Sequence, residues 1–329
     1  MNEVTLEESM HAPIIACLDV FAKDVRSEIE AVASNEFRVR FAESYDRQEQ
    51  IGLIADADFI LLGGAPLDAG MIGHAGRVKL IQKWGIGVDK IDLDAARAAG
   101  IPVGITFGEN AGPVAEHAIL LMLAVYRRLP MIDRKLRQGI WMKSEVRSIC
   151  YQITGKTVGL IGFGNIARMV AHRLRGFDAE IIYHDPRRAD RVTEKALRAA
   201  YVPLDTLLAR SDIVSVHAPL NAATRELIRA DTIEKMKDGA ILVNTARGEI
   251  VHEPSLYDAL VSGKLRGAGL DTFVGEPPSP DNPLLGLDQV VVTPHAAGGV
   301  FDNVENVARH ALGNMKKILV GEALAPEDL

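Results

Sequence analysis

The stretch from Lys156 to Leu174, KTVGLIGFGNIARMVAHRL, sets a short apolar run against a glycine turn and then a helical pattern. Gly162 permits a tight turn, and Gly164 after Phe163 lets the backbone approach a bound group. Ala167 is small where helix and strand would meet, and a helix entered through Asn165 and Ile166 would aim its first amides at negative charge. That is pyrophosphate-binding chemistry. An ordinary strand, turn and helix can carry the same glycines, so the context has to decide. Asp185 supplies it: it ends the next apolar run, close to the spacing of about 20 residues for a carboxylate on a ribose 2′-hydroxyl. A carboxylate there repels a 2′-phosphate and favours NAD over NADP. Arg187 and Arg188 temper the preference, since arginines after this strand accommodate the extra phosphate.

Such a turn needs a parallel sheet to carry it. From Lys156 onward, short β-type runs at Thr157–Ile161, Glu180–His184, Ile213–His217, Ile241–Asn244, Ala268–Leu270 and Val290–Val292 alternate with helical stretches. Those helices include Ala167–Leu174, Thr232–Met236 and Glu253–Val261. The first hundred or so residues read the same way. Strands are expected at Ile14–Val20, Phe37–Phe41, Phe59–Leu62, Leu80–Trp84 and Val103–Ile105, and helices at Val25–Val32 and Leu93–Ala99. The alternation predicts an α/β chain with two doubly wound parallel-sheet domains. Between the two series, Asn110 to Leu129 reads as one helix with Pro113 in its first turn. It is apolar almost all round, which calls for burial on most sides. A last helix is expected over Asn303 to Leu319.

Bulk properties narrow the class. A chain of 329 residues is long enough for two cores, and a net charge of −7 argues against nonspecific nucleic-acid binding. The Arg187, Arg188 and Arg191 cluster is balanced by Asp185, Asp190 and Glu194 and reads as a solvated loop. The longest apolar run, Ala118 to Tyr126, is too short to span a bilayer, and MNEVTLEESMHAP lacks the pattern of a signal peptide. Cys17 and Cys150 show no metal-type spacing and read as free thiols, so a cytoplasmic protein without a metal site is expected.

Further stretches carry a resemblance. KWGIGVDKIDLDAARAAGIPV (Lys83–Val103), ENAGPVAEHAI (Glu109–Ile119), VHAPLNAATRELI (Val216–Ile228), VNTARGEIV (Val243–Val251), GLDTFVGEP (Gly269–Pro277) and VTPHAAGG (Val292–Gly299) follow one another. In that order they resemble the D-isomer-specific 2-hydroxyacid dehydrogenases, over a span from about Phe59 to Leu319. Each alone is loose, since Thr-Ala-Arg-Gly also suits a surface turn and Pro-His an ordinary loop. The resemblance implies a Rossmann NAD-binding domain over residues 106–298, inserted in a flavodoxin-like substrate domain of residues 1–105 and 299–329. It thereby accounts for a dinucleotide turn in mid-chain. It also implies that the helix from Pro113 packs across the interface of a homodimer.

By the same resemblance, Arg247 holds the carboxylate and carbonyl oxygen of a small 2-keto or 2-hydroxy acid, for which a planar guanidinium is suited. His295 matches the general acid/base and Glu276 the carboxylate that orients it. His217, Ala218, Pro219, Thr224, Thr245, Ala246 and Asp271 match cofactor-side positions, although a strand-end structural role suits His217 nearly as well. The other histidines match no functional position. Ile86 and Gly87 resemble the amides that receive the substrate carboxylate, and Gly63 and Gly64 offer a further open-backbone contact. One departure stands out: phosphoglycerate-oxidising members carry arginine just after the Phe59–Leu62 strand, where this chain has Gly63-Gly64. Small substrates such as glyoxylate or hydroxypyruvate are therefore favoured. Formate-using relatives have glutamine at the place of Glu276, which disfavours formate. Phosphite dehydrogenases and NAD(H)-sensing corepressors can keep the same three residues and stay as alternatives.

Overall fold

The computed structural model describes residues 12–329, so most of the amino-terminal stretch read above for a leader lies outside the described residues. The chain divides into two compact units. One ends at Asn110 and resumes over Val300–Leu329, and the other is Ala111–Gly299.

In the first unit, strands β1 (Ile14–Cys17), β2 (Arg38–Phe41), β3 (Phe59–Leu62), β4 (Leu80–Lys83) and β5 (Val103–Gly104) form a parallel sheet in the order β2-β1-β3-β4-β5. Strand side chains alternate between faces, and here both faces are covered. Ile15, Cys17, Phe59, Leu61 and Leu80 pack with Ala311, Leu312 and Met315 of the helix Val304–Leu319. Ala16, Ile60, Leu62 and Ile81 enter a separate core on the other side. That double burial explains why Phe59–Leu62 reads as unbroken apolar sequence.

The second unit holds β6 (Thr157–Ile161), β7 (Glu180–His184), β8 (Ala199–Tyr201), β9 (Ile213–Val216), β10 (Ala240–Asn244), β11 (Leu265–Leu270) and β12 (Val290–Val292). They lie in the order β12-β11-β10-β9-β6-β7-β8, all pairs parallel. The direction of winding reverses between β6 and β9. Open parallel sheets bind ligands at the carboxyl ends of strands at such a point.

Strand β1 stops at Cys17, short of the expected Val20, and two further expectations change. Strand β8 was not expected from Ala199-Ala-Tyr201, which has no β-branched residue. It forms because it pairs with β7, with the Tyr201 ring edge-on to Tyr183 at 5.6 Å. The helix expected over Asn110 to Leu129 spans Ala111–Tyr126, and a second helix runs over Leu129–Arg137. Pro130 has no N–H to return to the Tyr126 carbonyl, which takes the Tyr151 amide at 2.9 Å instead. Arg128 makes the break in left-handed backbone, φ 51°. The first of these helices does bury Ala118, Leu121, Met122 and Val125 against Val158, Leu160, Ile241 and Val243 of the sheet, while Leu120 is half exposed. Among the described residues no helix is long and apolar enough to cross a membrane.

Leu121 is 1% exposed. Leu121→Ala is expected to destabilise the second unit by about 2–5 kcal/mol, the range for a buried leucine that leaves a cavity. Urea unfolding followed by circular dichroism reads this directly; a change below about 1 kcal/mol would contradict the packing.

Candidate active site

The glycine turn lies at the β6 end of the switch point. Gly162 has φ 88°, and a Cβ there would come within 2.7–2.9 Å of the His217–Ala218 backbone, so glycine is required. A Cβ at Gly164 would meet open space. Gly164 begins the helix Asn165–Leu174 without a side-chain cap, which leaves the helix amides to a bound anion. Phe163, expected beside a cofactor, is a core side chain, 3% exposed and stacked on Tyr183 at 3.7 Å. Its amide goes to Asp185 Oδ2 at 2.9 Å. Asp185 Oδ1 accepts the Arg187 amide at 2.8 Å, so the carboxylate is fixed beside the turn. Arg188 is committed elsewhere: it forms a two-pronged pair with Glu194, 2.9 Å on each arm.

Where β9 and β10 end, buried polar atoms lack partners. His217 Nε2 meets Ser215 Oγ at 2.9 Å, while its Nδ1 is buried without a hydrogen bond, as is Thr245 Oγ1. Buried polar groups in folded chains are nearly always paired, and a ligand at the sheet edge would complete both. Burial lowers the His217 imidazole from its ordinary value to about 4, so the ring is neutral at neutral pH. Thr224 closes its own turn, donating to the Pro219 carbonyl at 2.6 Å and accepting the Asn221 amide at 2.8 Å. A turn open at Gly164, uncapped helix amides, the Asp185 carboxylate and two orphaned polar atoms together fit a dinucleotide.

Arg247, Glu276 and His295 follow β10, β11 and β12, three neighbouring strands. Asn244, given no role in the sequence reading, ties the first loop. It is 1% exposed, its Nδ2 donates to the Arg247 carbonyl at 2.8 Å, and its Oδ1 accepts the Ala246 amide at 3.0 Å. Arg247 Nη1 donates to the Ala246 carbonyl at 2.7 Å. Gly248 then packs so closely on Phe273 that a Cβ would fall 2.0 Å from its carbonyl carbon. This contact brings the arginine loop against the segment that carries Glu276.

His295 Nδ1 lies 3.0 and 2.9 Å from the two Glu276 oxygens. A carboxylate only accepts, so Nδ1 carries the hydrogen and Nε2 is the atom left for proton exchange. The histidine has φ 52°, an uncommon conformation for a side chain other than glycine. It is held there by its neighbours. Asp271, expected to face the cofactor, has a fully buried carboxylate that organises this loop instead. Its oxygens accept the amides of Ala296 at 2.8 Å and Ala297 at 3.0 Å and the Thr293 hydroxyl at 2.6 Å. Its carbonyl accepts the His295 amide at 2.8 Å. His117, which the sequence reading left without a role, adds Nε2 at 2.9 Å from Thr293 Oγ1.

In the first unit, Ile86 is 40% exposed next to Gly87 in the loop after β4. Gly63 and Gly64 differ from expectation. Their amides donate to the Asp19 carboxylate and are not open to a ligand, because Asp19 reaches across from the end of β1. Among the described residues no group of histidine, cysteine and carboxylate side chains is gathered as a metal ion would need.

Two parallel α/β sheets, one with a glycine turn at its switch point and an arginine, glutamate and histidine at its edge, define a nucleotide-binding α/β class. Residues 119–297 match the family model described as D-isomer specific 2-hydroxyacid dehydrogenase, NAD binding domain. The chain belongs to that family. It is 42% identical over 257 residues to the hydroxypyruvate reductase of Thermotoga maritima, covering 77% of this chain and 82% of that one. It is 39% identical over 297 residues to the D-3-phosphoglycerate dehydrogenase of Archaeoglobus fulgidus, covering 88% of this chain and 55% of the relative. The chain thus spans about half the length of the phosphoglycerate dehydrogenases it matches. Among solved structures, a glyoxylate reductase from Paecilomyes thermophila superposes with a TM-score of 0.83 at 32% identity, covering 97% of this chain and 99% of that chain.

The His217 shift has a stability consequence. Its folded value lies below the unfolded one, so as pH falls from about 6.5 to about 4 the unfolded state takes up the proton first. Stability is therefore lost across that window. Thermal melts from pH 7 to pH 4 should show a shallower decline for His217→Gln than for the wild type; parallel declines would contradict it.

Proposed function

We propose that this chain is an NAD(H)-dependent oxidoreductase that interconverts a small D-2-hydroxy acid and its 2-keto acid. The observation that carries the reading is His295 Nδ1 seated on the Glu276 carboxylate, with Arg247 on a neighbouring strand of the same sheet. Bound NADH supplies the hydride that reaches C2 of the keto acid. His295 Nε2 gives the proton that the keto oxygen takes up, and takes it back in the oxidative direction. Glu276 fixes the imidazole in the needed tautomer and offsets charge on the ring when it is doubly protonated. Arg247 holds the substrate carboxylate and leans on the carbonyl oxygen, where negative charge grows in reduction. Ile86 and Gly87 keep the carboxylate-binding role that the resemblance gives them. Gly162, Gly164, Asn165 and Ile166 hold the pyrophosphate, and Asp185 the adenosine ribose. Ala218, Pro219 and Ala246 offer backbone beside the nicotinamide, and His217 and Thr245 offer their unpaired atoms.

The reading includes a cytoplasmic homodimer. Its support is Leu129 and Leu136 of the helix Leu129–Arg137, with Ile140 and Trp141 just after it, which all expose apolar surface, and the free thiols Cys17 and Cys150.

Oxidation of NADH should be measured with glyoxylate, hydroxypyruvate, pyruvate and longer 2-keto acids, and repeated with NADPH. His295→Asn is expected to lower kcat by ~10²–10⁴-fold, the usual contribution of a general acid. Arg247→Ala should lower kcat/KM by ~100-fold or more while NADH binding persists. Near-normal turnover by either variant would refute the assignment. Asp185→Ala should shrink the NADH/NADPH preference by roughly 10-fold, as loss of a hydrogen bond to a charged group implies; an unchanged ratio removes its ribose role.

A further inference from the structure

The sheet order β2-β1-β3-β4-β5 puts the switch point of the first unit between β1 and β3. Sheets of this order hold an anion-bearing ligand in the crevice there. In this chain the place is filled from within. Asp19 follows β1 and is only 6% exposed. Its carboxylate accepts the amide of Gly63, that of Gly64 at 2.7 Å and that of Ala65 at 3.1 Å, three consecutive residues after β3. Successive backbone N–H groups turned to one point make an anion nest. The anion in this nest belongs to the chain.

Crowding does not require the two glycines. A Cβ at Gly63 would lie 3.4 Å from the nearest Asp19 oxygen and one at Gly64 3.5 Å, both ordinary contacts. Their consequence is electrostatic: Gly63-Gly64-Ala65 brings no charged side chain of its own to offset Asp19. Neighbouring groups register that charge. Burial, and after it the Asp19 carboxylate, pushes the Cys17 thiol up to about 12. The same two causes raise the Tyr45 phenol. Strand β4 lies directly beside β3, with the Trp84 amide on the Leu62 carbonyl at 2.8 Å. The Asp19 nest and the Ile86–Gly87 loop therefore leave adjacent strands at one edge of one sheet.

We infer that Asp19 is a charge filter: it occupies the anion nest at the β1/β3 switch point and excludes 2-keto acids whose tail carries a second negative charge. Acids with an uncharged tail are left as substrates. The inference rests on the 2-hydroxy acid reading above and narrows its substrate class. Asp19 acts here on specificity, without touching the reacting atoms.

The test compares 2-keto acids matched in chain length, 2-oxobutyrate with oxaloacetate and 2-oxopentanoate with 2-oxoglutarate, using the full chain and NADH. The wild type should favour the uncharged member of each pair by at least ~10-fold in kcat/KM, equivalent to about 1.4 kcal/mol. Asp19→Asn and Asp19→Ser keep an acceptor for the amides and remove the charge. Each should shrink that preference by several-fold, chiefly through KM of the dianionic member. Should those variants not fold, Gly64→Lys keeps Asp19 and its amide partners, has room for a Cβ, and sets a cation beside the carboxylate; it should shrink the same ratio. Equal use of both members by the wild type overturns the filter. So does a ratio unmoved by the Asp19 substitutions, or, where they do not fold, unmoved by Gly64→Lys. Failure of the underlying reading looks different: the wild type would reduce neither member of either pair.

Discussion

The site depends on one buried charge. Asp271 sits at the end of β11 with no exposure to solvent, and its carboxylate gathers the Thr293 hydroxyl and the amides of Ala296 and Ala297. A carboxylate removed from water is costly unless its oxygens are paired, and each hydrogen bond to such a charge contributes about 1.5–3 kcal/mol. The loop after β12 is thereby forced to wrap around it. His295 lies inside that wrap, in left-handed backbone it would rarely adopt alone, and its ring falls on Glu276. The His295–Glu276 contact follows from satisfying Asp271. His117 reaches the same cluster from the long apolar helix, so the packing of that helix and the geometry of the site are coupled.

A second principle is the disposition of charge at the carboxyl edges of both sheets. In the second unit, Asp185 is fixed beside the glycine turn by two amides, while Arg188 is withdrawn into a pair with Glu194. In the first unit a carboxylate again meets backbone amides, but there it closes the nest. The same chemistry leaves one edge receptive to a ligand anion and the other already holding one.

Much of the fold was legible because both faces of each sheet are buried. Phe59–Leu62, Thr157–Ile161, Glu180–His184 and Val290–Val292 are strands at the residues where the apolar runs begin and end. Ala199–Tyr201 was not legible, since its strand character comes from pairing with β7 and has little local propensity behind it. The end of the long helix, expected at Leu129, falls at Tyr126, where the apolar run itself stops. Pro130 removes one donor, the chain turns at Arg128, and a second helix resumes at Leu129.

The sequence by itself determined the alternation of strands and helices, the glycine turn with its acidic partner, and the family, because these follow from residue type and spacing along the chain. It could name Arg247, Glu276 and His295 through resemblance. Tertiary structure alone decided what each polar group faces. Phe163 became a core ring, Asp271 a loop organiser, and Gly63 and Gly64 the donors to Asp19. The physical reason is that hydrogen bonds and buried charge are settled between residues far apart in sequence. Asp19 and Gly63 are 44 residues apart, and Asp271 and Ala297 are 26 apart. No local pattern records which donor such a carboxylate will find.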